Sequence, residues 1–169
     1  MLRSISLVFL AAAAVASGPA AAQCDDISAI PVRYDVDFET EIQPLIGGVS
    51  GSSVTPYCEN CHVLSSSGGM NMAPANIRLS WLGADETGRE SLNFPDWKRI
   101  VPGKPAASLV YQRIHCDDSP PGRMPPGHPG GAMDPAFLQM QALVHDWIAL
   151  GAIMDDTDRR FVGDFETIR

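Results

Sequence analysis

One pentapeptide constrains this chain more than any other stretch: Cys58-Glu59-Asn60-Cys61-His62, which has the form C-x-x-C-H. On a turn of helix, residues three and four positions apart share a face. Cys58 and Cys61 can therefore present their sulfurs to one edge of a porphyrin and form thioethers with its vinyl groups. His62 follows directly and can reach the iron as the proximal ligand. The pattern is typical of covalent attachment of one c-type haem.

Other uses of the two cysteines fit the surrounding sequence less well. A thioredoxin-like redox pair needs a preceding strand and a βαβ pattern, whereas the residues before Cys58 form a Gly- and Ser-rich loop. A zinc site needs a second pair of ligands, and Cys116 with its neighbour His115 lacks the zinc-finger spacing. A disulfide between Cys58 and Cys61 would be strained at so short a separation. We therefore expect haem c as the cofactor.

The N-terminal stretch has the features of a secretory signal. Arg3 supplies a positive charge, residues 5–16 are almost wholly apolar, and Ala20-Ala21-Ala22 offers a cleavage site. The apolar run is shorter than the roughly 20 residues that a membrane span needs, and no later segment is long enough. We predict that residues 1–22 are a cleaved signal peptide, 23–154 a single domain and 155–169 a charged tail. The mature protein should be periplasmic, without a stable membrane span.

The net charge limits which partners are expected, and the remaining cysteines indicate the redox state. The formal net charge of the chain is −8 at pH 7, and Arg3 is the only charged residue in the predicted signal. An acidic domain argues against nucleic acid as a partner. If Cys58 and Cys61 hold haem, Cys24 and Cys116 remain, and export favours a disulfide between them. The alternative is two unrelated thiols.

Apolar residues recur at helical spacing in two segments. From Asp37 a helix is predicted, with a stripe that consists of Phe38, Ile42, Leu45 and Ile46. A last helix is predicted after Asp134 as N-cap and Pro135 as first residue, ending near Gly151. Its stripe consists of Phe137, Met140, Val144, Trp147 and Ile148.

Weaker signals predict shorter helices between these two. The haem motif should lie on a helix over about 57–64. Residues 76–82 are compatible with a helix or a strand, and a short helix is favoured. Residues 94–100 suggest one helical turn, because Phe94, Trp97 and Ile100 are three apart. Ser108 is a candidate N-cap for a helix over 109–114.

A second iron ligand has to come from another part of the chain. Met124 lies in the segment 120–127, Pro-Pro-Gly-Arg-Met-Pro-Pro-Gly, where prolines on both sides stiffen the loop and can hold one sulfur at a fixed place. His115 and His128 are competing ligands, and Met133 is a weaker one. His145, on the last predicted helix, is expected to be a surface or supporting residue.

Several segments, in order, resemble the single-haem class I cytochrome c superfamily, especially bacterial cytochrome c domains of the planctomycete type. The segments are FETEIQPLI (38–46), CENCH (58–62), GGMNM (68–72), IVPGKPAASLVYQRI (100–114), RMPPG (123–127) and WIALGA (147–152). The resemblance implies a small all-α, cytochrome c-like fold of four to five short helices with long loops around one haem, the first and last helices packed together beside it. It also implies Cys58 and Cys61 as thioether sites, His62 as proximal ligand and Met124 as distal ligand. The long segment before Cys58, the pair Cys24 and Cys116 and the acidic tail depart from the family pattern.

These observations together predict a periplasmic electron carrier rather than an enzyme. Two protein ligands would block both axial positions, so a substrate could not reach the iron. The partners would be redox proteins that donate and accept electrons in small, weak encounters. Two alternatives stay open: an electron-accepting subunit of a periplasmic dehydrogenase, and a haem-based sensor with an open sixth position. A di-haem peroxidase is disfavoured because the chain has one C-x-x-C-H motif.

Overall fold

The computed structural model describes residues 24–46, 55–116, 122–126 and 135–154. Its α-helices are α1, Gln43–Ile46; α2, Thr55–His62; α3, Ile77–Trp81; α4, Leu109–His115; and α5, Pro135–Ala149. A π-helical turn, Phe38–Ile42, leads into α1, and 3-10 turns cover Ser67–Gly69 and Pro105–Ala107. Within these ranges β structure is limited to two isolated bridges, Cys24 with Cys116 and Glu90 with Lys98. The described part of the chain is therefore helical with long connecting loops, in agreement with the predicted all-α class.

Asp37 begins the first helical segment, as the sequence predicted. Its carboxylate accepts a hydrogen bond from the backbone N–H of Thr40 at 2.7 Å, and its own N–H donates to the Glu41 side chain at 2.9 Å. The segment opens with a wide π turn in which the Gln43 N–H donates to the Phe38 carbonyl. Pro44 has no N–H to continue an α-helical ladder from that point, which explains why a regular α-helix does not span the whole segment.

Three aromatic rings join the first segment to α3 and α5. The Phe38 ring lies 4.8 Å from Trp147 and 5.9 Å from Trp81, and the two indoles are 5.8 Å apart, all between ring centroids. All three side chains are buried. The predicted stripe of α5 lies in the same core, since Phe137, Met140, Val144, Trp147 and Ile148 are each no more than 1% exposed. The first helical segment and the last helix therefore pack together.

One local prediction was wrong and a second held only in part. Residues 94–100 form no helical turn: the Trp97 N–H donates to the Phe94 carbonyl at 2.9 Å in an isolated turn, and the chain then pairs with residues 89–91 through the Glu90–Lys98 bridge. Ser108 is the N-cap residue of α4, as predicted, but its side chain makes no capping hydrogen bond. Its buried hydroxyl instead accepts from the Val101 N–H at 2.8 Å and donates to the Lys104 carbonyl at 3.0 Å. The hydroxyl thus provides hydrogen-bond partners for two backbone groups of the loop before α4, the Val101 N–H and the Lys104 carbonyl.

Several other predicted features lie outside the described residues. They are the signal peptide over 1–22, the charged tail over 155–169 and the Asp134 cap. The C-terminal end of α5 is described: Gly151 has φ of 103°, and the Ala152 N–H donates to the Trp147 carbonyl at 2.9 Å. A residue with left-handed φ closing the last turn is the usual role of glycine after a helix. Among the described helices, none is both long and apolar enough to cross a membrane.

The aromatic contact predicts a large stability effect for Phe38→Ala. Removing a buried phenyl ring that touches both tryptophans should lower the free energy of unfolding by about 3–5 kcal/mol, because the transfer and cavity terms add. Chemical denaturation of the purified protein measures the loss. Leu79→Ala is the matched control, because Leu79 on α3 is 53% exposed and its truncation should cost about 0.5 kcal/mol or less. Equal losses for the two variants would contradict this account of the core.

Candidate functional site

One cavity brings the predicted site residues together. The empty space at this cavity, including open solvent at its mouth, is about 800 Å³. Helix α2 contributes Cys58, Cys61 and His62 to the lining. Other lining residues come from α4, from the segment that carries Met124, and from α5 through Phe137. All four residues that the sequence analysis placed around a haem therefore line the same cavity.

The two cysteines of the motif differ in their surroundings. Neither is in a disulfide; Cys58 is half-buried and Cys61 is exposed. Burial raises the pKa of the Cys58 thiol to about 11, with a smaller contribution from Cys61. Both residues line the cavity, and Cys61 is the more accessible of the two. A group bound to both would therefore be in part accessible from the surface.

His62 is the buried member of the motif. It is 8% exposed, and its backbone carbonyl accepts from the Met72 N–H at 2.8 Å, which fixes the loop after α2 against the helix. Burial lowers the pKa of the imidazole, and the carbonyls of Met70 and Ser67 oppose this shift in part. Among the described residues no group makes a hydrogen bond of good geometry to the buried Nδ1 atom. A neutral imidazole is the form that binds a metal.

Met124 reaches the cavity from the short described segment 122–126. Its backbone N–H donates to the Arg113 carbonyl at 2.6 Å, and the Arg113 Nε–H donates to the Gly122 carbonyl at 3.1 Å. Both bonds tie the segment to the C-terminal part of α4. The Met124 thioether and the His62 imidazole thus line one cavity from elements that are far apart in the sequence.

The cavity wall also contains two thioethers and two cations to which the sequence assigned no role at the site. Met70 and Met72 line the cavity, whereas methionines other than Met124 were expected mostly to fill the core. The cations are Arg99 and Arg113. No sequence signal distinguishes these residues, because their positions depend on how the loops after α2 and before α4 fold against each other.

The two arginines have carbonyl and hydroxyl partners instead of carboxylates. Arg99, which is 3% exposed, donates from Nη1 to the Ser80 carbonyl at 2.6 Å and from Nη2 to the Gly69 carbonyl at 3.1 Å. Arg113 donates from Nε to Gly122. Burial lowers the pKa of both guanidinium groups. Across the described ranges no aspartate or glutamate pairs with either, so the cavity wall carries net positive charge.

His115, the competing histidine that the structure describes, does not join this group, and neither does His145. His115 lies outside the cavity lining, with its ring stacked on Tyr111 at 4.7 Å between centroids and its Nδ1 3.2 Å from the Gln141 Oε1. His145 packs edge-on against Tyr111, and its Nδ1 lies 3.0 Å from the Asp146 carboxylate. His128 and Met133 lie outside the described residues.

Cys24 and Cys116 form a disulfide in the structure, with the two sulfurs 2.10 Å apart. His115 lies close enough that the three residues form a cluster with metal-ligand chemistry. Sulfurs that are bonded to each other have no thiolate to offer a metal ion, so this cluster is a cross-link and not a metal centre.

Comparisons of the chain with protein-family models, with curated proteins and with solved structures found no match. The chemistry of the site therefore follows from its own residues.

The surroundings of His115 predict a pH effect on stability. Burial lowers its pKa from the ordinary value of 6.5, so the unfolded chain binds this proton more tightly than the folded protein. The contribution to stability is complete above pH 6.5 and is lost as the pH falls below that value. We expect the free energy of unfolding of His115→Gln to fall less steeply between pH 7 and pH 5 than that of the wild type. Chemical denaturation across this range measures both slopes, and parallel slopes would contradict the prediction.

Proposed function

We propose that the protein holds one c-type haem through thioether bonds to Cys58 and Cys61, with His62 and Met124 as axial ligands, and that it acts as an electron carrier. The observation that carries this proposal is the convergence of two sulfurs, one imidazole and one thioether on a single cavity. When bound, haem supplies a one-electron ferric/ferrous couple. A small all-α, cytochrome c-like fold is part of the same proposal, supported by the packing of Phe38 against Trp147.

The remaining wall of the cavity fits a porphyrin. A cavity that is open on one side and mainly apolar in its lining suits a flat, largely apolar cofactor that is attached at its edge. The apolar residues of α4 and α5 in the lining are Leu109, Val110, Ile114 and Phe137. Haem also carries two carboxylates, and Arg99 and Arg113 offer cations without carboxylate partners among the described residues. Guanidinium groups bind carboxylates well because their N–H groups match the two oxygens.

The residues of the chain have separate tasks in this proposal. Cys58 and Cys61 fix the cofactor, His62 donates a neutral nitrogen, and Met124 fills the opposite position. With both axial positions held by side chains, no position is left for a substrate, which favours a carrier over an enzyme. Cys61 is exposed, so a group attached there reaches the surface, where a redox partner protein can approach. The periplasmic location proposed from the N-terminal sequence suits such an exchange.

Covalent haem and its ligands are tested together on the exported, purified protein. We expect a haem-stained band on a denaturing gel, and a ferric spectrum with the weak long-wavelength band that reports a sulfur–iron bond. Met124→Ala should abolish that band and let the ferrous protein bind carbon monoxide, because an axial position becomes vacant. Met140→Leu is the matched control: Met140 is a fully buried core residue, so its replacement should leave the spectrum unchanged.

Other outcomes of this experiment would change the proposal in distinct ways. A gel without haem would refute it, and Cys58 and Cys61 would then be assigned to a metal site or a disulfide. Covalent haem without the sulfur–iron band in the wild type would exclude Met124 as ligand. Carbon monoxide binding by the wild type would then favour the sensor over the carrier.

The cations of the cavity wall predict a shift of the reduction potential. Arg113→Gln removes a positive charge beside the iron site, which favours the ferric form and lowers the potential. A one-electron couple changes by about 40 mV for each 1 kcal/mol of charge interaction lost, and we expect a change of that order. Arg113→Lys keeps the charge and should retain most of the wild-type potential.

Lys104→Gln makes the same change of charge at an exposed residue outside the cavity and serves as the control. Redox titration of the purified variants measures the three shifts. Equal shifts for Arg113→Gln and Lys104→Gln would contradict a special role for the charge at the cavity.

A further inference from the structure

We propose that Arg123 is a positioning residue that holds Met124 in place through a buried ion pair with Asp25. The inference rests on the proposed function, because it concerns the ligand that Met124 supplies. Arg123 directly precedes Met124, and its Nη1 pairs with the Asp25 Oδ2. The two side chains are only 5% and 2% exposed. Burying two charges is costly, so an ion pair at this depth, directly before a residue that lines the cavity, points to a role in positioning that residue.

The guanidinium of Arg123 is also bound to the end of α4. It donates from Nη2 to the His115 carbonyl at 2.8 Å and from Nη1 to the Ile114 carbonyl at 3.3 Å. These carbonyls belong to the last turn of α4, where the helix leaves them without intrahelical partners. A cation at this end of a helix is also favoured by the helix dipole. Arg123 therefore closes the end of α4 and neutralises Asp25 at the same time.

Asp25 is held from two other sides. Gln141, fully buried in the middle of α5, donates from Nε2 to the Asp25 Oδ2 at 2.6 Å. The Asp25 N–H donates to the His115 carbonyl at 3.0 Å, and the neighbouring Cys24 is cross-linked to Cys116. The carboxylate thus has a fixed position relative to both α4 and α5. Arg123 docks against a rigid partner.

These contacts determine where the Met124 sulfur can lie. Three groups in a row are anchored to α4: the Gly122 carbonyl by the Arg113 Nε, the Arg123 side chain by the carbonyls, and the Met124 N–H by the Arg113 carbonyl. The Arg123–Asp25 ion pair adds a stricter constraint to these three contacts, because a displaced Arg123 would leave a charge buried without its partner. A ligand must be held within a fraction of an ångström to act well. Asp25 therefore acts on the iron site through Arg123 and the backbone of Met124.

Arg123→Lys on the exported holoprotein tests the proposal. Lysine keeps the charge opposite Asp25 but cannot reach the carboxylate and both carbonyls with one planar group, so the fold survives while the loop loosens. We expect the sulfur–iron band to weaken, and the ratio of haem without the Met124 bond to haem with it to rise at least about tenfold, equivalent to about 1.4 kcal/mol. The rate and extent of carbon monoxide binding to the ferrous form measure that ratio. Gln141→Met, which removes one bond to Asp25, should act in the same direction but less.

Two comparisons separate positioning from a general loss of structure. Arg33→Lys changes another arginine of an ion pair, with Glu41, outside the cavity lining, and should leave carbon monoxide binding unchanged. In a Met124→Ala background, Arg123→Lys should have no further effect on carbon monoxide binding, because the bond through which it acts is already absent. An equal effect in both backgrounds would overturn the proposal, and so would a wild-type band in Arg123→Lys with Met124 intact. If the wild type itself carries no haem, the proposed function fails, and this inference with it.

Discussion

The packing of α5 is the interaction on which the rest of the structure depends. The other described α-helices have four to eight residues, too short to be stable alone in water. The 15-residue α5 packs against several of them. Trp147 contacts Phe38 of the first helical segment and Trp81 of α3, Phe137 lines the cavity, and Gln141 binds Asp25. One helix therefore connects the apolar core, the cavity and the segment that carries Met124.

In the loops, buried polar side chains supply the hydrogen-bond partners that regular secondary structure supplies elsewhere. Buried N–H and carbonyl groups need partners, and much of this chain runs outside helices. Arg99 binds carbonyls of the Ser67–Gly69 turn and of α3, and Ser108 binds both sides of the turn before α4. The cavity wall is thus built from irregular segments that are held by a few buried donors. This arrangement gives a small domain a shaped interior without a sheet.

Features with a local signal were predictable from the sequence, and features that depend on distant contacts were not. Helical periodicity identified the segment from Asp37 and the stripe of α5, and the C-x-x-C-H spacing identified the residues of α2 that line the cavity. The pairing of Cys24 with Cys116 agrees with the structure because few cysteines were left to choose from. The Asp25–Arg123 pair spans 98 positions and has no spacing rule. Ser108 is at the predicted N-cap position, but its hydroxyl binds the preceding loop, which the sequence could not show because a capping serine and a serine that binds a loop have the same signature.

Net charge and local charge point in opposite directions in this protein, and the local charge matters for the proposed chemistry. The chain carries a formal charge of −8, yet the described residues that line the cavity include two arginines and no carboxylate. An exposed charge acts on a buried site through a high effective dielectric and is screened by salt, whereas a charge at the cavity wall is not. Cations near iron destabilise the ferric state, and a thioether ligand raises the potential relative to a second histidine. In the proposed function, the acidic net charge would therefore influence which partner binds, while the arginines and the Met124 thioether would favour a comparatively high potential.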